Sequence, residues 1–243
     1  MSENEKERAD SLLFKKGLTR SRNEATQLIE NGYVFVDNIE VKKPSHKINL
    51  QAKIEIRTTN RFVGRGALKL VSALEAFKID PRGLICIDIG SSTGGFTEVL
   101  LQRGAKKIYA VDVGTNQLVE SLRNNERIIV MENTDIRNIS ELTEKPELAV
   151  IDVSFISLEK ILPKVKELLT DNAQIIALVK PQFEVGKEHL GKQGIVKEVE
   201  WQNWALKKIK DFSVNIGLTV LGEIDSPILG GTGNKEFLIY LKN

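Results

Sequence analysis

The stretch LICIDIGSSTGGF, residues 84–96, decides the fold. Its first half is a short apolar run carrying one acid and no helical period. Its second half breaks into glycines, after which FTEVLL (96–101) resumes as a helix. A buried strand that turns on glycine into a helix is the opening unit of a nucleotide-type α/β sheet. Four more short apolar runs follow: KIYAVDV (107–113), RIIVM (127–131), LAVIDV (148–153) and QIIALVK (174–180). Segments long enough for a helix separate most of them. Strands buried on both faces read this way because neither face alternates with polar residues. The expectation is an α/β chain built on a doubly wound parallel sheet. The end of the chain differs: LTVLGEIDSPI (218–228) and KEFLIYLK (235–242) flank the turn GGTGN and read as a hairpin with a reversed last strand.

Glycines at 90, 94 and 95 allow a sharp turn and close approach of a ligand to the backbone. Asp112 ends the second run, 22 residues beyond Gly90, where a carboxylate meets ribose hydroxyls. This layout fits a dinucleotide or S-adenosylmethionine. One position separates them: a pyrophosphate presses against a glycine where this chain has Ser92. A sulfonium cofactor has no pyrophosphate and brings a cation, which Asp88 suits. The candidate cofactor contacts are therefore Asp88, Gly90, Ser91, Gly94, Gly95, Phe96, Asp112, Val113 and Asp135. For Asp135 a role as helix cap is the equal alternative.

Ligands in open α/β sheets lie beyond the carboxyl ends of the strands. Asp152 and Lys180 end two such strands, and Glu236 begins the last one, which reaches the same edge if it runs antiparallel. Lys69, on an amphipathic helix read over 67–77 with Leu68, Val71, Leu74 and Phe77 on one face, can cap the same crevice. Two cations and two anions thus converge where a methyl group would be passed to a ribose hydroxyl. That hydroxyl is a poor nucleophile until deprotonated, and neither histidine lies at a site position, so a buried lysine is the candidate base. For any one of the four taken alone, a structural salt bridge is the simpler reading.

The first 60 residues obey another grammar. A short helix carrying Ala9, Leu12, Leu13 and Phe14 ends at Gly17, and Ser21-Arg22-Asn23-Glu24 forms a capping box for a second helix with Ala25, Leu28 and Ile29 inward. YVFV (33–36), Asp37-Asn38 and IEV (39–41) read as a hairpin, and Lys53 to Arg57 as a further strand. The polar stretch TTNRFVGRG (58–66) marks a boundary, giving a module at 1–60, a linker at 61–66 and a second domain at 67–243.

The 243 residues carry 35 basic and 33 acidic side chains, a formal charge of +2 that argues against a strongly basic nucleic-acid binder. The distribution of those charges points the other way. Residues 1–60 hold 11 of the basic and 9 of the acidic residues, so the whole excess lies there. Lys15, Arg20, Arg22 and Lys42, with Arg65 in the linker, are the candidate RNA contacts. The lone Cys86 excludes an intrachain disulfide and reads as a buried small hydrophobe; with only His46 and His189 beside it, no metal is expected. The absence of an apolar leader or a run of about 20 apolar residues points to a cytoplasmic protein without a membrane partner. Trp201 and Trp204 read as packing. The loop EVGKEHLGKQG (184–194) reads as a flap over substrate.

DIGSSTGGF, VIDVSFISL, LVKPQFE (178–184) and GNKEFLIYL resemble the hemolysin A-type (TlyA) family, and SRNEATQLIENGYVFVDN resembles its S4 module. Such proteins join a small S4 RNA-binding domain to an FtsJ-like, Rossmann-like methyltransferase domain. The resemblance implies S-adenosylmethionine-dependent 2′-O-methylation of ribosomal RNA, with cytidine the usual target and ribosomal RNA or a ribosomal subunit the partner. It also implies that Lys69, Asp152, Lys180 and Glu236 form a Lys-Asp-Lys-Glu tetrad with Lys180 as base, and that RFVGRG (61–66) is the interdomain motif. A membrane-active hemolysin and a non-catalytic ribosome-assembly factor are the alternatives.

Overall fold

The computed structural model describes residues 5–19, 21–30, 32–56 and 62–243, and the chain divides into two compact units, Met1–Arg61 and Phe62–Asn243. In the first, β1 (Lys6–Arg8) leads into α1 (Ala9–Lys15), followed by α2 (Arg22–Glu30), β2 (Val34–Val36), β3 (Ile39–Glu40), β4 (Lys47–Asn49) and β5 (Ile54–Ile56). β1 pairs with β4, and β3-β2-β5 form an antiparallel sheet. Asp37 and Asn38 both take positive φ (49° and 68°), the twist a two-residue hairpin requires. The Ser21 hydroxyl accepts from the Glu24 amide at 3.1 Å, the first half of the expected capping box. Ala9, Leu12, Leu13, Ala25, Leu28 and Ile29 form the small core. Phe14 does not join them; it is 46% exposed, because α1 has a single inward stripe already filled by Leu12 and Leu13.

The second unit contains α3 (Gly66–Phe77), β6 (Ile85–Ile89), α4 (Gly95–Gln102), β7 (Lys107–Val111), α5 (Glu120–Arg123), β8 (Ile128–Met131), β9 (Leu148–Ile151), α6 (Leu162–Leu168), β10 (Gln174–Val179), α7 (Pro181–Glu184), α8 (Val199–Asn215), β11 (Thr219–Asp225) and β12 (Phe237–Lys242). All five apolar runs are parallel strands, and the sheet order is β11-β12-β10-β9-β6-β7-β8. β12 inserts antiparallel between β10 and β11, as the terminal hairpin implied. This is a doubly wound, Rossmann-type sheet with a mixed edge. Strand order reverses between β6 and β9, and that switch point is where a crevice opens beyond the strand ends.

Two-residue alternation divides the core into two layers. Ile87, Ile89, Val111, Ile151 and Val179 face α6 and α8, whereas Cys86, Ile108, Ala110, Val150 and Leu178 face α3 and α4. Cys86 is fully buried, and burial pushes its thiol up to about 12. Helix α3 keeps Val71, Leu74 and Phe77 of the expected face against the core and departs from it at Leu68. Ala67, Lys69, Leu70, Ala73 and Leu74 are buried, while Leu68 is 37% exposed. The reason is close packing: a Cβ on Gly95 would lie 3.2 Å from the Ala67 nitrogen, so small residues set the α3–α4 contact and rotate Leu68 outward.

Candidate active site

Beyond β6 the chain turns at Gly90, with φ of +86°. A Cβ there would sit 2.5 Å from the Asp152 carbonyl oxygen, so only glycine lets β6 and β9 meet at the switch point. Ser92 is also left-handed, at φ +48°, and its amide donates to Asp112 at 2.8 Å. The other Asp112 oxygen accepts from the Gly114 amide at 2.7 Å. Asp112 therefore stitches the glycine turn to the loop after β7. A cavity of about 380 Å³ lies against these two segments.

Of the candidate cofactor contacts, Gly90, Asp112, Val113 and Asp135 line this cavity. Asp88, Ser91, Gly94, Gly95 and Phe96 do not; they stand behind its wall. Phe96 is on the buried face of α4, and Gly94 packs where a Cβ would meet Leu122 at 2.3 Å. Asp135 accepts from the Arg137 amide at 2.9 Å, the helix-cap role, while also lining the cavity. Ser92, Gln117, Thr134, Ile136 and Val153 also line it. Carboxylates at 112 and 135 beside apolar Val113, Ile136 and Val153 suit an adenosine with its hydroxyls on one side, and the buried Asp88 Oδ1 and Ser91 Oγ have no hydrogen-bond partner among the described residues.

Asp88 is fully buried and accepts the Thr97 hydroxyl at 2.6 Å. Burial pushes its carboxyl up to about 7 against that hydrogen bond. The fold thus holds a proton that the unfolded chain releases, and stability is lost as pH rises from about 4, the unfolded value, to about 7. Asp88→Asn removes this titration. Its unfolding free energy relative to the native chain is expected to improve across that window and then level off. Urea unfolding at stepped pH checks it; a difference independent of pH would mean that Asp88 is already ionised in the fold at pH 4.

The four candidate catalytic residues meet in one ion-paired row. Lys180 Nζ lies 2.7 Å from Asp152 Oδ1 and donates to the Ser154 hydroxyl at 2.9 Å. Lys69 Nζ lies 3.8 Å from Asp152 Oδ2 and 2.7 Å from Glu236 Oε2. The side chains of Lys69, Lys180 and Glu236 are all at most 10% exposed. Two charges of each sign make the row neutral as a whole, which is how four ionic groups tolerate this burial. Asp152 opens onto the first cavity; Lys180 and Glu236 line a second of about 690 Å³.

Ser154, Phe155 and Ile156 wall both cavities. Phe155 is missed by the sequence reading: its φ is +64° and it is 92% exposed. Glu184 anchors this wall, accepting from the Ser157 hydroxyl at 2.5 Å and the Leu158 amide at 2.9 Å. The segment read as a flap, 184–194, forms the far side of the second cavity and is tied down. Asn234 accepts from the Val196 amide and donates to the Gly194 carbonyl, and His189 stacks on Trp201 with ring centroids 3.4 Å apart. Trp204 is 43% exposed.

Phe62–Gly66, within the stretch read as a linker, is part of the second unit. The Val63 amide donates to Glu98 at 2.6 Å, a Cβ on Gly66 would sit 3.6 Å from Asp152 Oδ2, and Arg65 donates to the Leu229 carbonyl at 3.3 Å. In the first unit Arg22 pairs with Asp10 at 2.8 Å and Lys15 with Glu7 at 2.7 Å. Asp10 is buried, and the guanidiniums of Arg8 and Arg22 hold its carboxyl well below the usual range. Lys42 is exposed, with no ion pair among the described residues. Arg20 and Arg57 lie outside the described residues.

Residues 62–243 match the FtsJ-like methyltransferase family and residues 7–54 the S4 domain. The chain is 40% identical over 239 residues to the 16S/23S rRNA (cytidine-2′-O)-methyltransferase TlyA of Mycobacterium tuberculosis, covering 97% of this chain and 89% of that protein. A solved structure of a candidate hemolysin from Streptococcus thermophilus is 45% identical, with a TM-score of 0.77 over 98% of this chain and 88% of that one. The N-methyltransferase NodS of Bradyrhizobium japonicum, solved with S-adenosylhomocysteine, shares the fold at 14% identity and a TM-score of 0.53, over 77% and 90% of the two chains. No helix among the described residues is long and apolar enough to cross a membrane.

Proposed function

This chain belongs to the family that joins an S4 domain to an FtsJ-like methyltransferase domain, and we propose that it methylates a ribose 2′-hydroxyl of ribosomal RNA, at cytidine, using S-adenosylmethionine. The observation that supports this best is the buried row Lys180–Asp152–Lys69–Glu236 at the junction of two cavities. One cavity suits an adenosyl group, the other an extruded nucleotide. When bound, the cofactor supplies an electrophilic methyl on a cationic sulfur.

The protein's part is positioning and proton transfer. Lys180, in its neutral form, takes the 2′-hydroxyl proton at Nζ. Asp152 and Ser154 fix where that nitrogen points, because both bond it from the β9 side. Lys69 balances Asp152 and Glu236, so neither carboxylate is left buried without a cation. Phe155, exposed on the shared wall, offers a face on which a splayed base can stack. Asp112 and Asp135, on the wall of the first cavity, would hold the hydroxyls and adenine of the cofactor.

Incubation with ribosomal subunits and methyl-labelled cofactor, followed by nuclease digestion and mass spectrometry, tests the reading. A 2′-O-methylcytidine is expected; a methyl on a base would overturn the proton-transfer role of Lys180.

We read the S4 unit as the source of RNA contacts, and its ion pairs set the candidates apart. Lys42→Gln is expected to lower the slope of log affinity against log salt by about 0.7–0.9, the effect of one phosphate contact. Arg22→Gln acts first on stability, because it strips one cation from the buried Asp10. Filter binding at several salt concentrations, beside thermal melts, separates the two; an unchanged slope in Lys42→Gln would remove it from the interface.

A further inference from the structure

The loop between β7 and α5 carries Val113 and Gln117 into the first cavity. It contains no regular hydrogen bonding, and Asn116 within it has φ of +54°. Something must hold such a segment in one shape, since ordering each free residue costs about 1–2 kcal/mol. One side chain does most of it. Glu132, just past β8, accepts three successive backbone amides: Asn116 at 2.7 Å, Gln117 at 2.8 Å and Leu118 at 2.9 Å. Arg123 adds a guanidinium to the same carboxylate.

The loop's other contacts carry this order across the site. Leu118 and Leu122 lie so close to Gly94 that a Cβ there would meet them at 2.8 and 2.3 Å. The Val119 amide donates to the Thr93 carbonyl. The loop therefore bears on the glycine turn as well as on Val113 and Gln117. Glu132 does not line the cavity, so whatever it does there it does through the loop. Those amides, Leu118 foremost, hold its carboxyl at about 2, so it is ionised at any working pH.

We propose that Glu132 is the positioning residue of the cofactor cavity, an internal anion that folds the 114–119 loop into the shape receiving S-adenosylmethionine. The inference rests on the reading of that cavity as the cofactor site. Three consecutive amides aimed at one point make an anion nest, and this gives the proposal a signature that general stabilisation lacks. Removing the carboxylate should leave a nest that a small free carboxylate can fill.

The experiment titrates S-adenosylhomocysteine into the native chain, Glu132→Gln and Glu132→Ala by calorimetry, in chloride and in formate at equal ionic strength. Glu132→Ala is expected to bind about tenfold or more weakly in chloride, the scale of a loss caused by misplaced contacts, and to recover most of that loss in formate. Glu132→Gln, which keeps one acceptor oxygen and the shape, should fall between and respond less to formate. It also provides the reading if the alanine variant does not fold. Affinity in Glu132→Ala or Glu132→Gln within twofold of native, or a loss identical in both salts, would overturn the proposal. Failure of the native chain itself to bind S-adenosylhomocysteine would instead overturn the assignment of the cavity.

Discussion

Lys180→Ala is expected to reduce methyl transfer by about 10²–10⁴-fold, the range for losing a positioned base. Affinity for S-adenosylhomocysteine should stay within about twofold of native, the pattern of an interaction used only in the transition state. The separation follows from placement. Lys180 lines the second cavity and not the first, so its removal leaves the lining of the first intact. It also leaves Asp152 facing Lys69 at 3.8 Å, and with a side chain 20% exposed Asp152 keeps access to water. Lys180→Arg should fail nearly as completely, because a guanidinium cannot give up its proton to become a base. Single-turnover transfer to ribosomal subunits, with calorimetry on the same samples, measures both quantities. Loss of cofactor binding or of the folded state in Lys180→Ala would make Lys180 structural.

The residues at strand ends were legible because the sheet imposes a simple rule. A run such as LAVID or IIALVK is buried on both faces, so the first charged residue after it must leave the sheet at the carboxyl edge. Asp152 and Lys180 follow directly. Glu236 needed one further step, the antiparallel sense of β12, which GGTGN signalled. Asp88 also sits within a strand, but on the α4 side with Cys86 and Ala110; alternation alone sends it away from the cavity.

The turn after β6 was not legible at the level of single residues. Between Gly90 and Gly95 the backbone has neither period two nor period 3.6, so sequence cannot say which atoms face a ligand. Gly94 and Gly95 are needed for packing, where a Cβ would meet Leu122 and Ala67. Glu132 and Glu184 were invisible for a different reason. Each binds backbone amides 14 to 26 residues away, and such contacts leave no local pattern. Phe155 carried a signal: an aromatic just after a strand, in a short loop with Ser154 and Ser157, beyond the end of the buried run. On α3 only Leu68 was misplaced, because large apolar residues were weighed above small ones, although Ala67, Ala73 and their glycine neighbours set its contact with α4.

Lys69→Met carries the largest expected effect on stability. Lys69 is the cation bonded to Glu236, whose side chain is only 3% exposed, and it also faces Asp152. Methionine matches the length of the stem but leaves a carboxylate in the interior without its counter-charge. Breaking a buried pair from one side costs about 3–5 kcal/mol. At about 2–4 °C per kcal/mol for a domain of this size, the melting temperature should fall by roughly 6–20 °C. Replacing both partners tests whether the cost comes from the orphaned charge or from lost packing. In Lys69→Met/Glu236→Gln no full charge remains between α3 and β12, so the double variant should be more stable than Lys69→Met alone. A coupling energy of about 1–3 kcal/mol from the four melts would measure the pair, as contacting residues require. Strict additivity would mean that Lys69 and Glu236 do not share a buried bond. The double variant should nonetheless remain inactive, because Asp152 has lost the cation on one side and holds Lys180 from the other. Stability recovered without activity would show that the ionic row is kept for chemistry, since an apolar or neutral filling satisfies the fold.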